Sequence, residues 1–338
     1  MQNNTIFENN AISLPQIKPL GLTGRIKPLI NKALFLAAIT GPDLILAGIM
    51  TALLLFIILE KGGHIKFFQA SLGLPIGIMS FLIIYRSALY LMNRSCLPNI
   101  KIILRDWLPF LLVTFIYENM HDLCRLFNFN DITHALLKLD VIIFGVEPTL
   151  WAQKFYSPLL TDVMAVFYAL YFVFPLVIMF FLSEQNKRFE FREMALALTF
   201  TFLTGFIGYA VFPASPPRYF IAEMFSDPYR LHGIFIFDRL QSTWDGLSVI
   251  SCGAFPSLHV GVSSVALLYA WKFKNMGNIY KWIWRIFLPL VVSLWIATVY
   301  LRHHWVVDIF AGWFVAAVGF TSSEYIMKLW NYLKKIYA

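Results

Sequence analysis

PSLHVGVSSVALLYAW, residues 256–271, opens on a proline, a serine and a histidine and then runs largely apolar to its end. HHWVVDIFAGWFVAAVGF, residues 303–320, starts forty-four residues after that histidine and has the same form: His303, His304 and Asp308, then a long apolar run. Composition says which solvent these runs are built for. Hydrophobic residues make up 59% of the 338 residues, aromatics 17% and charged residues only 14%, with a mean hydropathy of +0.68. A soluble domain carries about 25% charged residues. The chain therefore reads as an all-α, polytopic membrane helical bundle.

Apolar stretches of about 20 residues mark the spans. They fall near 37–59, 71–92, 107–125, 162–182, 194–212, 258–273, 284–301 and 306–327, which makes about eight. Gly41-Pro42-Asp43 interrupts the first, which can begin as late as Leu44. The first thirty residues are polar and lack the apolar core of a cleavable signal peptide. This divides the chain into a cytoplasmic N-terminal segment (1–36), two N-terminal transmembrane helices (37–106), a six-helix catalytic domain (107–330) and a cytoplasmic tail (331–338). With the N-terminus inside, seventeen Lys and Arg fall in inner segments and eight in outer ones. That bias places both termini in the cytoplasm. The net charge of +8 is then mostly topological, with attraction to anionic headgroups, and it excludes nothing but a nucleic-acid footprint, for which no basic run exists.

The three cysteines form no CxxC and so no metal framework. Cys124 and Cys252 would both lie near the outer face, which leaves a bridge and two free thiols both open. Polar chemistry gathers in the outer loops. In 128–156, Leu136, Leu137, Leu139, Ile142, Ile143 and Trp151 would lie in the interface, with Lys138, Asp140 and Glu147 facing water. The other long outer loop, 213–256, runs from FPASPPRYF to SCGAFP. Both frame the outer ends of the helices that carry the histidines.

His304 and Asp308 are four apart and would share a helix face. A carboxylate on one ring nitrogen fixes the tautomer and leaves the other nitrogen as a nucleophile. His259, across the site behind the helix-start signal Pro256-Ser257, would protonate a leaving oxygen as general acid. Arg218 and Arg302 would neutralise a phosphoryl anion, and helix N-termini with Ser257 would add donors. These parts describe phosphoryl transfer through a phosphohistidine, a scheme that calls for no metal and no cofactor. Pro217 before Arg218 and Asp140 are supporting candidates. Ionisable groups at membrane helix ends are functional by default, but the other histidines have plainer readings. His64, His121, His134 and His232 read as interfacial residues, and His303 as a neighbour of the site, since only His304 has Asp at i+4. Arg230 and Arg239 read as partners of lipid phosphates. Glu118 and Asp122 read as hydrogen-bonding partners inside the bundle.

PSLH and H-x3-D followed by IFAG resemble the second and third signatures of the type-2 phosphatidic acid phosphatase superfamily, whose pattern is K-x6-RP, PSxH and SR-x5-H-x3-D. The likeness covers roughly 160–327. It implies His304 as nucleophile, Asp308 as its orienting carboxylate and His259 as general acid. Two departures stand out: Ala297-Thr298 occupies the SR position, and K-x6-RP gives way to FPASPPRYF with Arg218. That variant, together with LDVIIFGVEPTLW (139–151), is similar to the branch containing inositol phosphorylceramide synthases. A thinner cationic clamp suits a singly charged phosphodiester better than a doubly charged monoester. The expectation is a membrane lipid phosphotransferase with a phospholipid donor and a lipid hydroxyl acceptor, its site on the outer (periplasmic or lumenal) face. A lipid phosphate phosphatase, acting on phosphatidic acid, a polyprenyl diphosphate or a lipid A-type phosphate, would use the same residues. A non-enzymatic transporter is the reading of another class, but no span carries a mid-membrane acidic chain or paired broken helices.

Overall fold

The computed structural model describes residues 40–60, 64–65, 72–92, 99–127, 130–225, 230–247 and 252–337. The N-terminal lead-in falls outside these, as does the Cys124 side chain and with it the pairing of Cys124 with Cys252.

α1 (Pro42–Glu60) starts on a proline, whose missing N–H is an orphan in a first turn anyway, behind Gly41 at φ +93°. Its buried residues Ala47, Thr51, Leu54 and Ile58 follow the 3–4 spacing of one helix face, and that face meets α3 (Ile100–Phe127) and α8 (Arg188–Val211). α2 (Gly73–Leu91) buries only Pro75, Met79 and Leu82 and leaves most of its apolar surface outward. α4 (Thr133–Phe144) ends at left-handed Gly145, and α5 (Pro148–Ala152) follows. α6 (Pro158–Ala169) and α7 (Val173–Glu184) join through the 3-10 turn Leu170–Phe172. After α8 come the short α9 (Pro217–Phe220), α10 (Phe237–Leu247), α11 (Leu258–Phe273), α12 (Asn278–Tyr300) and α13 (Val306–Tyr337).

Among the described residues, six stretches are long and apolar enough to cross a membrane: Pro42–Glu60, Gly73–Leu91, Pro158–Glu184, Arg188–Val211, Asn278–Tyr300 and Val306–Lys335. The architecture is the expected all-α membrane bundle. Two of the eight anticipated spans form helices without meeting this measure. α3 carries Lys101, Arg105, Asp106 and Glu118, and α11 has only 16 residues.

α8 is the hub, packed on by α13, α11, α3 and α1. Gly208 lets the Phe255-Pro256 segment lie directly on it, since a Cβ there would come within 2.4 Å of Pro256 Cδ. Gly312 does the same for α13 on α11: its Cβ would stand 2.6 Å from the Ser257 carbonyl. The end of the bundle where α8 begins holds ion pairs joining α1, α3 and α8. Asp43 meets Arg105 at 2.8 Å and Arg192 at 3.4 Å, and Asp106 meets Arg188 at 3.0 Å. The histidines lie at the other end.

Two surface expectations are corrected here. Asp140 and Glu147 do not face water: Asp140 is fully buried and Glu147 is 6% exposed. Each is drawn inward by a helix start whose N–H groups lack intrahelical acceptors. Glu147 caps α5 through Thr149 N (3.1 Å) and Leu150 N (2.5 Å). Asp140 reaches across the chain to cap α13, accepting from Val306 N (2.8 Å) and Val307 N (2.9 Å). Lys138 alone of that trio is exposed.

Candidate active site

The last turn of α12 and the first turn of α13 are joined by Leu301–Trp305, and this link carries Arg302, His303 and His304. Arg302 takes φ +64°, the left-handed conformation that closes many helix C-termini, here on a residue with a side chain. The chain then folds back so that His303 N and His304 N both donate to the Thr298 carbonyl, at 3.0 and 3.2 Å. The buried Thr298 and Ala297 stand where the resembling pattern has Ser-Arg. His304 thus precedes α13 instead of lying on it, and the helical i,i+4 argument is replaced by a turn. Asp308, in the first turn of α13, accepts from Trp305 N at 2.9 Å and meets His304 Nδ1 at 3.3 Å.

The tautomer of His304 follows from its partners. Nδ1 also lies 2.9 Å from the Ala254 carbonyl oxygen. Both neighbours of Nδ1 only accept, so the ring hydrogen is there and Nε2 holds a lone pair. Nε2 in turn lies 3.3 Å from His259 Nδ1, which must then be the donor. His259 is the second residue of α11, whose first turn is capped by Ser257 Oγ accepting from Val260 N at 3.3 Å. Ser257 N donates to the Asp308 carbonyl at 3.1 Å, so α11 and α13 are tied at the residues that matter.

The two ends of the 213–256 loop are stitched together beneath this pair. Ala214 N donates to the Cys252 carbonyl at 2.9 Å and Ala254 N to the Ala214 carbonyl at 3.0 Å. Trp305 Nε1 donates to the Ser215 carbonyl at 3.0 Å. Pro217 opens α9, and Arg218 N donates to the Arg302 carbonyl at 3.0 Å. Arg218 is largely buried. Its Nη1 is 3.0 Å from Asp245 Oδ1 but misaligned for a hydrogen bond, and its Nε has no hydrogen-bond partner. Donor capacity for an anion therefore remains. Arg302 is aimed elsewhere: its guanidinium stacks 3.7 Å over the Phe225 ring. Burial lowers its pKa to about 10 against the raising effects of Tyr300, Glu147 and Tyr156.

Residues that the motifs do not mark complete the site. Tyr168 lies flat between two histidines, with ring centroids 4.3 Å from His259 and 4.5 Å from His303. Tyr171 is 4.2 Å from His259, and Trp244 meets Tyr168 edge-on at 4.7 Å. His303 is a wall of the site. Burial first, then the charges of Arg218, His259 and His304, hold its pKa well below the usual imidazole value. A directed chain of hydrogen bonds runs through it from the one group that can only accept. Asp245 Oδ1 accepts from Gln241 Nε2 (2.9 Å), which turns Gln241 Oε1 to His303 Nε2 (3.3 Å) and leaves His303 Nδ1 to accept from Tyr168 OH (3.3 Å). α10, which supplies Gln241, Trp244 and Asp245, is itself held by Asp162. That carboxylate accepts from the backbone N–H groups of Ile234, Phe235, Ile236 and Phe237 at 2.7 to 3.0 Å. The 3–4 spacing of Tyr168 with Tyr171 and of Gln241 with Asp245 is visible in sequence, but in a chain 17% aromatic it carries no contrast. Among the described residues no group of three His, Cys, Asp or Glu is placed to hold a metal ion.

The arrangement can place a basic imidazole nitrogen, a proton donor and a guanidinium around one phosphorus. Comparison with known proteins gives the family. A phosphoinositol dihydroceramide synthase from Bacteroides thetaiotaomicron is 28% identical over 242 residues, 66% of this chain and 77% of the relative. The catalytic subunit of inositol phosphorylceramide synthase from Saccharomyces cerevisiae is 34% identical over 134 residues, 36% of this chain and 32% of the relative. Inositol phosphorylceramide synthase from Candida albicans is 28% identical over 167 residues, covering 46% and 34% of the two chains. No solved structure matches. The sequence profile of the PAP2 superfamily matches residues 134–322, from the start of α4 through the middle of α13 and so across every histidine, arginine and carboxylate of the site, and the chain belongs to that superfamily.

Proposed function

We propose that this chain is a lipid phosphotransferase that moves a phosphoinositol-like headgroup from a phospholipid to a lipid hydroxyl through a phosphohistidine on His304. The observation that carries the reading is the set of partners around His304, with Nδ1 2.9 Å from Ala254 O and 3.3 Å from Asp308 Oδ2 and Nε2 3.3 Å from His259 Nδ1; these assign the ring hydrogen to Nδ1 and the lone pair to Nε2. In the first half-reaction Nε2 attacks the phosphorus of the donor phosphodiester. The N–P bond forms as the P–O bond to diacylglycerol breaks, and His259, entering the step as an imidazolium, gives one of its two ring protons to the departing oxygen and is left neutral. Asp308 stabilises the cationic ring, and Arg218 takes up the phosphoryl oxygens. In the second half the acceptor hydroxyl loses its proton to His259 and attacks the same phosphorus, which frees His304. Nε2 and Nδ1 are only 3.3 Å apart, so an entering phosphoryl group breaks that contact.

Asp140, Ser257 and Pro217 serve by position: they hold the starts of α13, α11 and α9. Arg302 holds Arg218 through its carbonyl. The names of the relatives support the donor and acceptor classes, and the Lys and Arg bias supports a site on the outer face with both termini inside.

The test is a labelled phosphoinositide supplied to the purified protein with and without ceramide. The expected product is a new phospholipid that forms only with the acceptor. Release of headgroup phosphate alone would replace the transferase with a hydrolase using the same residues. His304→Ala is expected to lower turnover by about 10³-fold or more, and full activity in that variant would remove the phosphohistidine.

A further inference from the structure

We infer that Asp245 sets the charge of the substrate this site accepts, admitting phosphodiesters and disfavouring phosphomonoesters. The inference rests on the reading of His304, His259 and Arg218 as a phosphoryl-transfer site. Arg218 is the cation beside the histidines, since Arg302 is stacked on Phe225 and the position of a further arginine is filled by buried Thr298. Arg218 is not unopposed. The Asp245 carboxylate stands 3.0 Å from its Nη1, and the same oxygen accepts from Gln241 Nε2 at 2.9 Å and Tyr219 OH at 3.3 Å. Three contacts from two elements therefore hold a half-exposed carboxylate in place, whereas a free surface aspartate would turn to water.

A phosphoryl group on the remaining donors of Arg218 lies about one guanidinium width from that carboxylate. Repulsion grows in proportion to the substrate's charge, so a dianion feels twice what a monoanion feels. At about 6 Å the extra unit of charge corresponds to roughly threefold discrimination at the dielectric of water and roughly a hundredfold at an effective dielectric of 20. Asp245 is half open to solvent, so a value of about tenfold is expected. The hydrogen-bond chain through Gln241 and His303 also ends on this carboxylate, which fixes its geometry relative to the stacked rings.

The experiment compares kcat/KM for phosphatidic acid and for a phosphatidyl-polyol diester in the full-length protein and in Asp245→Asn, which keeps shape and removes charge. The monoester-to-diester ratio is expected to rise about tenfold in the variant, and more at low ionic strength. A ratio within twofold of the unaltered protein overturns the inference. So does a folded variant inactive on both substrates, because a residue that only sets charge is not required for turnover. Asp245→Ser repeats the measurement with a smaller side chain. The unaltered protein offers a reading that needs no variant. As pH rises from about 6 to about 8 the monoester gains its second charge, and its kcat/KM relative to the diester must fall, since histidine titration cancels in the ratio. A flat ratio also overturns the inference. Adding His304→Ala to Asp245→Asn separates the two claims: monoester turnover that survives there counts against the site, not against Asp245.

Discussion

Asp140→Asn is the most informative single change outside the histidines, because its effect on stability should depend on pH. In the folded protein burial raises the Asp140 pKa from 3.8 to about 6, against the lowering effect of its bonds to Val306 and Val307 N–H and with a small contribution from Glu147. The folded state therefore binds a proton more tightly than the unfolded state does. Stability from this group is fully present below the unfolded pKa of 3.8 and is lost as pH rises through about 6. A difference of about 2.2 units corresponds to about 3 kcal/mol. Asparagine cannot titrate, so it removes that loss. It also turns an NH2 toward one of the two backbone N–H donors, which costs about 1–3 kcal/mol at every pH. At about pH 4 the variant should be less stable than the unaltered protein by roughly 1–3 kcal/mol, and so unfold at a lower temperature. By about pH 8 the gap should close or reverse. Thermal unfolding in detergent across that range reads the difference directly. A gap that stays constant with pH would show that Asp140 does not titrate as a buried cap, and the reasoning would fail. Turnover should drop about tenfold at all pH values, because the loosened first turn of α13 carries Asp308.

Gly312→Ala should place a methyl 2.6 Å from the Ser257 carbonyl and 2.9 Å from Val260 Cβ. Relief pushes α13 from α11, costs about 1–3 kcal/mol of stability and separates His304 from His259; wild-type turnover in this variant would contradict the packing argument. Asp162→Ala should release the amides of Ile234–Phe237. Hydrogen exchange there should speed up by about a hundredfold, and the substrate KM should rise as α10 drifts; unchanged exchange would mean that Asp162 is not what holds the helix.

The histidine pair is legible in the sequence because its signals are local. PSLH announces a capped helix start, and His304 with Asp308 falls at a spacing that brings side chains together. The spacing leads to the right partners by the wrong geometry, since the contact is made across a turn that Arg302 closes in a left-handed conformation. The signal at Glu147 is equally local: a Glu before a Pro marks a helix start, although the amphipathic pattern around it points outward. Asp140 had no such signal. Its partners lie 166 and 167 residues away, and nothing near it in sequence announces an unfilled cap on another helix. Tyr168, Tyr171 and Trp244 are hidden differently, by abundance: among so many membrane aromatics, the ones that pack around a histidine look like the ones that face lipid. The direction of Arg302 was out of reach because it depends on one backbone angle.

The stacked rings around His259 bear on time. In the proposed cycle a phosphoryl group waits on His304 while a second lipid finds the site by moving through the bilayer. Water is far more abundant than any such lipid and would win by numbers alone. His259 is the base that would activate it, and Tyr168 and Tyr171 cover that ring while Trp244 closes on Tyr168 from the side. A smaller residue at 168 would shorten the wait, and product would shift from lipid to free headgroup phosphate before the first half-reaction slowed. In the proposed cycle the aromatic wall would act as a clock for the phosphorylated intermediate, and its setting would decide whether one histidine pair behaves as a transferase or as a hydrolase.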